Sequence, residues 1–126
     1  MKSFITAIII AALLIAGSEL HMMRLERASY ELSELNSDVF EHIMNEEYDE
    51  ALEAVSKLSV RMKEAEMFFG AMGDHEETDN ININIAELRS YTEDERRSEA
   101  AARCRVLSYL FGHLPENSRL KIENVF

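Results

Sequence analysis

Tryptophan is absent from this chain of 126 residues, proline and cysteine occur once each, and glycine occurs four times. A single cysteine excludes an intramolecular disulfide, so a packed core must stabilise the fold. The scarcity of proline and glycine, beside abundant Ala, Leu, Glu and Met, favours helices. We find no glycine-rich phosphate loop and no pattern of nucleophile, base and orienting group. The sequence therefore predicts an all-α protein that is not an enzyme and needs no cofactor.

The run from Phe4 to Gly17 carries no charge and is the most informative segment. Its 14 residues make about 21 Å of helix, shorter than the ~30 Å hydrocarbon core of a bilayer. The segment is therefore either a membrane anchor that extends to residue 23 or a signal peptide, since Ala16, Gly17 and Ser18 suit cleavage near Ser18. The residues predicted to contact lipid are Phe4, Ile5, Ile8, Ile9, Ile10, Leu13, Leu14 and Ile15.

The basic residues around this segment indicate its orientation only weakly. Lys2 precedes the apolar run, whereas Arg24 and Arg27 follow it, so the positive-inside rule gives a nearly tied result. We expect a single-pass protein in which residues 1–23 are the anchor or signal segment and residues 24–126 are one extracytoplasmic domain. Secretion after cleavage near Ser18 is the alternative.

Negative charge is concentrated in one half of the chain. Residues 31–79 hold 15 acidic and 3 basic side chains, and the whole chain has a net charge of −11. Such a surface repels phosphate backbones, so nucleic-acid binding is not expected. A cationic partner or loosely bound Ca²⁺ would suit it better.

Apolar residues recur every three or four positions in four segments, which is typical of amphipathic helices. Short connections between the segments predict an antiparallel bundle of about four helices behind the N-terminal membrane helix, and the first helix is expected to run unbroken from the membrane to about Met44. The predicted core stripes are Leu25, Ala28, Leu32, Leu35, Val39 and Ile43; then Tyr48, Ala51, Val55, Leu58, Met62, Ala65, Phe69 and Met72; then Ile81, Ile85 and Leu88; then Ala100, Cys104, Leu107, Leu110 and Leu114.

Capping residues predict where these helices begin and end. Asn45 is expected to cap the second helix, and Gly70 and Gly73 to end it. Asp74 with Glu77 predicts the start of the third helix, and Thr92-Glu93-Asp94-Glu95 is typical of a capping box for the fourth. Gly112 and Pro115 are expected to break the fourth helix, before a short last helix that buries Leu120, Ile122, Val125 and Phe126.

The segment from Asn80 to Ile85 alternates polar and apolar residues, which is a strand pattern. A lone strand would leave its backbone groups unpaired, and the rest of the chain offers it no partner strand. We therefore expect helix here, with Ile83 on a second apolar face.

Several segments together make nearly the whole chain resemble a known family. They are EEYDEA (46–51), DHEETDNI (74–81), LRSYTEDERRSEAAARCRVLSYLFGHL (88–114) and IENVF (122–126). The chain resembles the bacterial family of domain of unknown function 4363, of spore-forming Gram-positive bacteria. The most specific matches are His75, Glu76, Asp79, Asn80 and Ile81, with Asn124-Val125-Phe126 at the end. The resemblance implies a single-pass protein with a small extracytoplasmic helical domain, and it implies no activity. Tyr48 stands where the family often has Trp, and Pro115 departs from its pattern.

His75, Glu76 and Asp79 are the candidate metal ligands, because a histidine and carboxylates at helical spacing can share a divalent ion. A di-metal bundle normally carries Glu-x-x-His on two helices, and this chain has no such motif, so acidic residues at a helix N-terminus are the simpler interpretation. His42 is expected to pair with Asp38, His113 to cap a helix end, and Cys104 to be a buried thiol.

These features favour a non-enzymatic interaction module at the cell envelope, held by the lipid bilayer through residues 4–23 and bound to another membrane or envelope protein. A sensor bundle that binds a small ligand and acts through a partner is the alternative. A metal-binding bundle that uses His75 is less favoured.

Overall fold

A computed structural model describes residues 1–71 and 75–125, with side chains over residues 1–67 and 75–114. It contains the helices α1 (Lys2–Met44), α2 (Tyr48–Ala71), α3 (His75–Glu93) and α4 (Arg97–Val125). Over this part of the chain there is no strand, and residues 80–85 lie inside α3. The all-α prediction is confirmed. α1 is continuous across residue 23, where the sequence placed the boundary of the membrane segment.

The four helices form a closed bundle in which α1 packs against α2 and α4, and α3 packs against the same two helices. The contacts between α1 and α4 show their direction. Ser29 on α1 bonds the carbonyl of Phe111 on α4, and Asn36, two turns further along α1, bonds the carbonyl of Cys104, two turns earlier on α4. The two helices are therefore antiparallel, as predicted.

The predicted apolar stripes form the core, because one face of each helix is removed from water. The stripe residues whose side chains are described are buried, apart from Leu35, Tyr48 and Leu110, which are partly buried. In α3 the buried face carries Ile81, Ile85 and Leu88, as expected. Ile83 is 57% exposed, so the second apolar face predicted for α3 is wrong.

The turn between α1 and α2 differs from its prediction. Asn45 ends α1 instead of capping α2, and α2 begins at Tyr48 with Asp49 and Glu50 in its first turn. Glu46 has φ of 59°, and the N–H groups of Glu46 and Glu47 donate to the carbonyls of Ile43 and His42. This pair of bonds is a Schellman motif, which satisfies the last carbonyls of α1.

The turn between α3 and α4 uses the same geometry, and the predicted capping box is wrong. Thr92 lies inside α3, where its buried hydroxyl donates to the Leu88 carbonyl at 2.7 Å. Glu95 has φ of 56°, and the N–H groups of Glu95 and Arg96 donate to the carbonyls of Thr92 and Tyr91. The Thr92 hydroxyl is thus occupied within its own helix and does not cap α4.

The predicted break at Gly112 and Pro115 is also wrong, because α4 runs through both residues to Val125. Some predictions fall outside the described side chains: the core positions Phe69, Met72, Leu120, Ile122, Val125 and Phe126, and the helix-end residues Gly70, Gly73 and Asp74.

Candidate functional site

The candidate metal ligands lie at the start of α3. His75, Glu76 and Asp79 are all exposed, and Glu76 is in the first helical turn, where the helix dipole favours a carboxylate. Among the described residues, no three His, Cys, Asp or Glu side chains are grouped in a way that could hold a metal ion.

Two other histidines make local contacts. His42 Nδ1 lies 3.2 Å from Glu47 Oε1, across the Schellman turn, so the predicted pairing with Asp38 is wrong. His113 lies inside α4, where Nδ1 donates to the Tyr109 carbonyl at 2.9 Å and the two rings stack with centroids 4.1 Å apart. The predicted helix-end cap at His113 is therefore wrong, since the helix continues beyond it.

The first half of α1 is an extended, exposed apolar surface. Its predicted lipid-contacting side chains are all more than half exposed, and the most apolar stretch of 18 residues has a mean hydropathy of 2.1 with none of it buried. This helix is long and apolar enough to cross a membrane, and a signal sequence has the same properties. Its second half, from Leu25 onwards, lies in the bundle core.

Sequence reasoning missed a cavity of about 200 Å³ between the middle of α1 and α4. We call it the α1–α4 groove; it is lined by Asn36, Ser37, Phe40, Cys104, Arg105 and Ser108. A second cavity of about 200 Å³ adjoins it through the shared Arg105 and is lined by Met44, Arg97, Ser98 and Ala101. Both are too small for a drug-sized ligand, whose sites span roughly 300–1,000 Å³.

The spacing of residues in α1 indicates which of its polar side chains are buried. The positions 25, 29, 32, 36, 39 and 43 step alternately by four and three residues, which is the heptad spacing of a helix seam. Ser29 and Asn36 occupy two of these positions, and both are buried. Polar residues at seam positions commonly fix helix register, and here each bonds a carbonyl of α4.

Cys104 lies at the floor of the groove and is 1% exposed, which confirms the predicted burial. Burial raises the pKa of its thiol to about 12, although the nearby Arg105 guanidinium lowers it. Because only the thiolate is a good nucleophile, a buried thiol with a raised pKa is expected to react slowly.

Comparison with known proteins identifies a family but no activity. No curated protein and no solved structure matches the chain. One family model matches residues 20–125, a span that includes α1 from residue 20 onwards and the whole of α2, α3 and α4. The chain therefore belongs to the family described as Domain of unknown function (DUF4363).

Proposed function

We propose that this protein is a membrane-anchored interaction module, in which α1 crosses the bilayer and holds the bundle on its extracytoplasmic side. The observation that carries the proposal is the unburied apolar half of α1. Exposed apolar surface of this extent is rare on soluble monomers and is typical of membrane or protein contacts. A helix suits a bilayer because its backbone groups are already hydrogen-bonded to one another.

The length of the exposed segment supports a spanning role. Residues 2–23 form about 33 Å of helix, comparable with the ~30 Å hydrocarbon core. Glu19 and His21 would then lie in the last two turns of the span, where their side chains can extend to the lipid–water interface just below the first buried core residue, Leu25. Because α1 continues unbroken into the core, the bundle would stand directly on the membrane surface.

The surface of α1 and α2 favours a protein partner. Exposed carboxylates are spread along the outer faces of these helices: Glu34, Asp38, Glu41, Asp49, Glu50, Glu53 and Glu64. Lys57, Arg61 and Lys63 lie among them on α2, so this surface is mainly but not wholly negative. A mainly negative surface attracts a cationic partner and repels anionic lipid and nucleic acid. We propose that the bundle binds a cationic surface of another membrane or envelope protein, without catalysis.

Cysteine labelling in intact cells tests the anchor and its orientation. The native Cys104 is buried, so a membrane-impermeant maleimide gives little background. We expect an Asp49→Cys variant to be labelled in intact cells and a Ser3→Cys variant to be labelled only after permeabilisation. Both variants should be found in the membrane fraction. Labelling in the reverse order would contradict the orientation, and a shortened chain in the medium would contradict the anchor.

Site-specific photo-crosslinking tests the partner. A crosslinking residue at Glu53, on the exposed face of α2, should capture one protein, and the adduct should weaken when Glu50 and Glu64 are replaced by lysine. A crosslinker at Asn82, on α3, is the matched control. Equal adducts at both positions, or no effect of the lysines, would contradict an acidic docking face.

A further inference from the structure

Two contacts between α1 and α4 fix the relative height of their residues along the bundle. The Ser29 side chain bonds the Phe111 carbonyl, and the Asn36 side chain bonds the Cys104 carbonyl. Seven residues further along α1 therefore correspond to seven residues earlier on α4, so one register holds over this length. Each residue of α1 can thus be matched with the α4 residue at the same height, with about 1.5 Å for each position of difference.

Exposed residues of α1 and α4 form one continuous surface, which we call the α1–α4 face. Its positions are three, four or seven residues apart on each helix, so each set shares one side of its helix. Ser37, Ser98 and Arg105 line the two cavities between the helices, which shows that these two sides adjoin. The face consists of Tyr30, Glu34, Ser37 and Glu41 on α1 and of Ser98, Arg105, Tyr109 and Gly112 on α4, all of them exposed.

Two tyrosines of this face lie at nearly the same height. Tyr30 is 66% exposed and Tyr109 is 63% exposed. In the register of the two helices, Tyr30 is level with position 110, one residue from Tyr109. The Tyr109 ring stacks on His113, which restricts its motion. Tyrosine is enriched in protein interfaces, so this pair of aromatic rings marks the face as a docking surface.

The two halves of the α1–α4 face carry opposite charge. The α1 half contains Glu34 and Glu41, whereas the α4 half contains Arg105 and no carboxylate, and Arg97 adds a cation beside the second cavity. Glu34 is level with position 106, one residue from Arg105, and Glu41 is level with position 99, two residues from Arg97. Neither pair is an ion pair within the described part of one chain.

We infer that the α1–α4 face binds the same face of a second copy of this chain, about a two-fold axis along the membrane normal. The inference rests on the proposed anchor, because two copies whose α1 helices cross one bilayer in the same direction stand parallel. Rotation about this axis places α1 of each copy against α4 of the other and leaves the height of every residue unchanged. Such an interface is isologous, so each contact occurs twice.

The register brings complementary groups together across this axis. Glu34 of each copy faces the partner's Arg105, and Glu41 faces the partner's Arg97. An acidic helix beside a basic helix is complementary to itself under a two-fold rotation, which favours a second copy over a foreign protein. Opposite charges at matching heights align the two copies and disfavour other registers. The carboxylates of α2 lie outside this face and stay exposed, so the dimer is compatible with docking of another protein there.

Energy transfer between labelled copies of the full chain in lipid vesicles tests the dimer. Donor and acceptor fluorophores are attached to an Asp49→Cys variant, because this exposed position on α2 lies outside the face. We expect transfer that increases with the ratio of protein to lipid and reaches a plateau, in proportion to the fraction of acceptor-labelled chains as a dimer requires. Flotation of the vesicles shows separately that the chain is anchored.

Reversing the charges identifies the interface. Glu34→Arg and Arg105→Glu should each weaken association by about tenfold or more, because two attractive contacts become repulsive. The double variant exchanges the two charges and should restore association. Glu53→Arg makes the same change as Glu34→Arg at an exposed position of α2 and is the matched control, which should leave association unchanged. Unchanged melting temperatures show that all the variants fold.

Each outcome separates the dimer from the anchor. Chains that float with the vesicles but show no transfer are monomeric, which overturns the inference and leaves the anchor intact. A dimer that neither single variant weakens is held by the membrane segments or by another face, and a double variant no better than the single ones contradicts the pairing of Glu34 with Arg105. Chains that do not float contradict the anchored module itself, and with it the parallel dimer.

Discussion

At the scale of single residues, Ser29 explains how α4 continues past a proline. Proline has no N–H, so residue 115 cannot donate to the carbonyl of Phe111, four residues earlier. The hydroxyl of Ser29, buried on α1, donates to that same carbonyl. A bond from a neighbouring helix thus replaces the one that proline removes, and α4 continues to Val125.

Replacing Ser29 by alanine should therefore lower the free energy of unfolding by about 1–2 kcal/mol, because the buried Phe111 carbonyl loses the hydroxyl that donates to it. In a Pro115→Ala background the loss should be smaller, since alanine at this position restores a backbone N–H donor. Urea denaturation of the two single variants and the double variant measures this coupling.

Ser56→Ala is the control for the Ser29 variant. The exposed Ser56 hydroxyl donates to the Leu52 carbonyl of its own helix and accepts a 3.3 Å bond from Arg89, and because both bonds are open to water their loss should cost less than about 0.5 kcal/mol. An equal cost of Ser29→Ala with and without Pro115 would show that the bond does not compensate for the proline.

At the scale of elements, the turns that follow α1 and α3 share one unusual feature. Glu46 and Glu95 each occupy the left-handed position of a Schellman motif, with φ of 59° and 56°. Glycine is the usual residue there, because a Cβ atom makes this conformation unfavourable by roughly 1 kcal/mol. The turns between α1 and α2 and between α3 and α4 are therefore strained at one residue each.

Glu46→Gly and Glu95→Gly should each raise the free energy of unfolding by about 0.5–1 kcal/mol, since glycine removes the strain but adds freedom to the unfolded chain. Glu53→Gly makes the same chemical change at an exposed position inside α2 and should instead lower it by about 1 kcal/mol. Thermal and urea denaturation of the three variants shows whether each substitution raises or lowers the free energy of unfolding. A loss of stability at residues 46 and 95 would mean that the glutamate side chains matter more than the backbone angle.

The same turns show why helix ends were harder to predict than helix faces. The apolar spacing of Leu58, Met62 and Leu107 indicates burial directly, because a core position tolerates few polar residues. A glutamate in a left-handed turn gives no such indication, since its side chain is typical of helix interiors. Thr92 likewise resembled a cap, although its hydroxyl bonds within α3.

The α1–α4 groove could not be predicted from the sequence. Its lining residues come from two helices that are far apart along the chain, and the register that places them around one cavity depends on the packing of the whole bundle. Periodicity identifies which face of each helix is buried, but not which neighbour faces it. The sequence, by contrast, does indicate His75 as a candidate metal ligand. Among the described residues, His75 does not belong to any group of three side chains that could hold a metal ion.

At the scale of the whole molecule, α1 belongs to two environments. Up to Gly17 its side chains are exposed, whereas from Leu25 it supplies the core with residues that are fully buried. Between them, His21 and Met22 are partly buried, and Met22 packs against the core. The bundle therefore gains no described packing from the residues before Ser18, and its stability should not depend on them.

Removing residues 1–19 should give a water-soluble helical protein that melts cooperatively, because this deletion keeps residues 20–125, the family-matched span, and every residue described as buried. Removing residues 1–28 is the control, since it also deletes Leu25 and Ala28 and should cost several kcal/mol, about 2–5 for a leucine alone. Circular dichroism gives the helix content and melting temperature of both, and flotation with lipid vesicles gives their membrane binding. The shorter deletion should retain its helices and stay off the vesicles. If it aggregates, or floats with lipid as the full chain does, then the bundle itself has an apolar face for the membrane, and α1 is not the sole attachment.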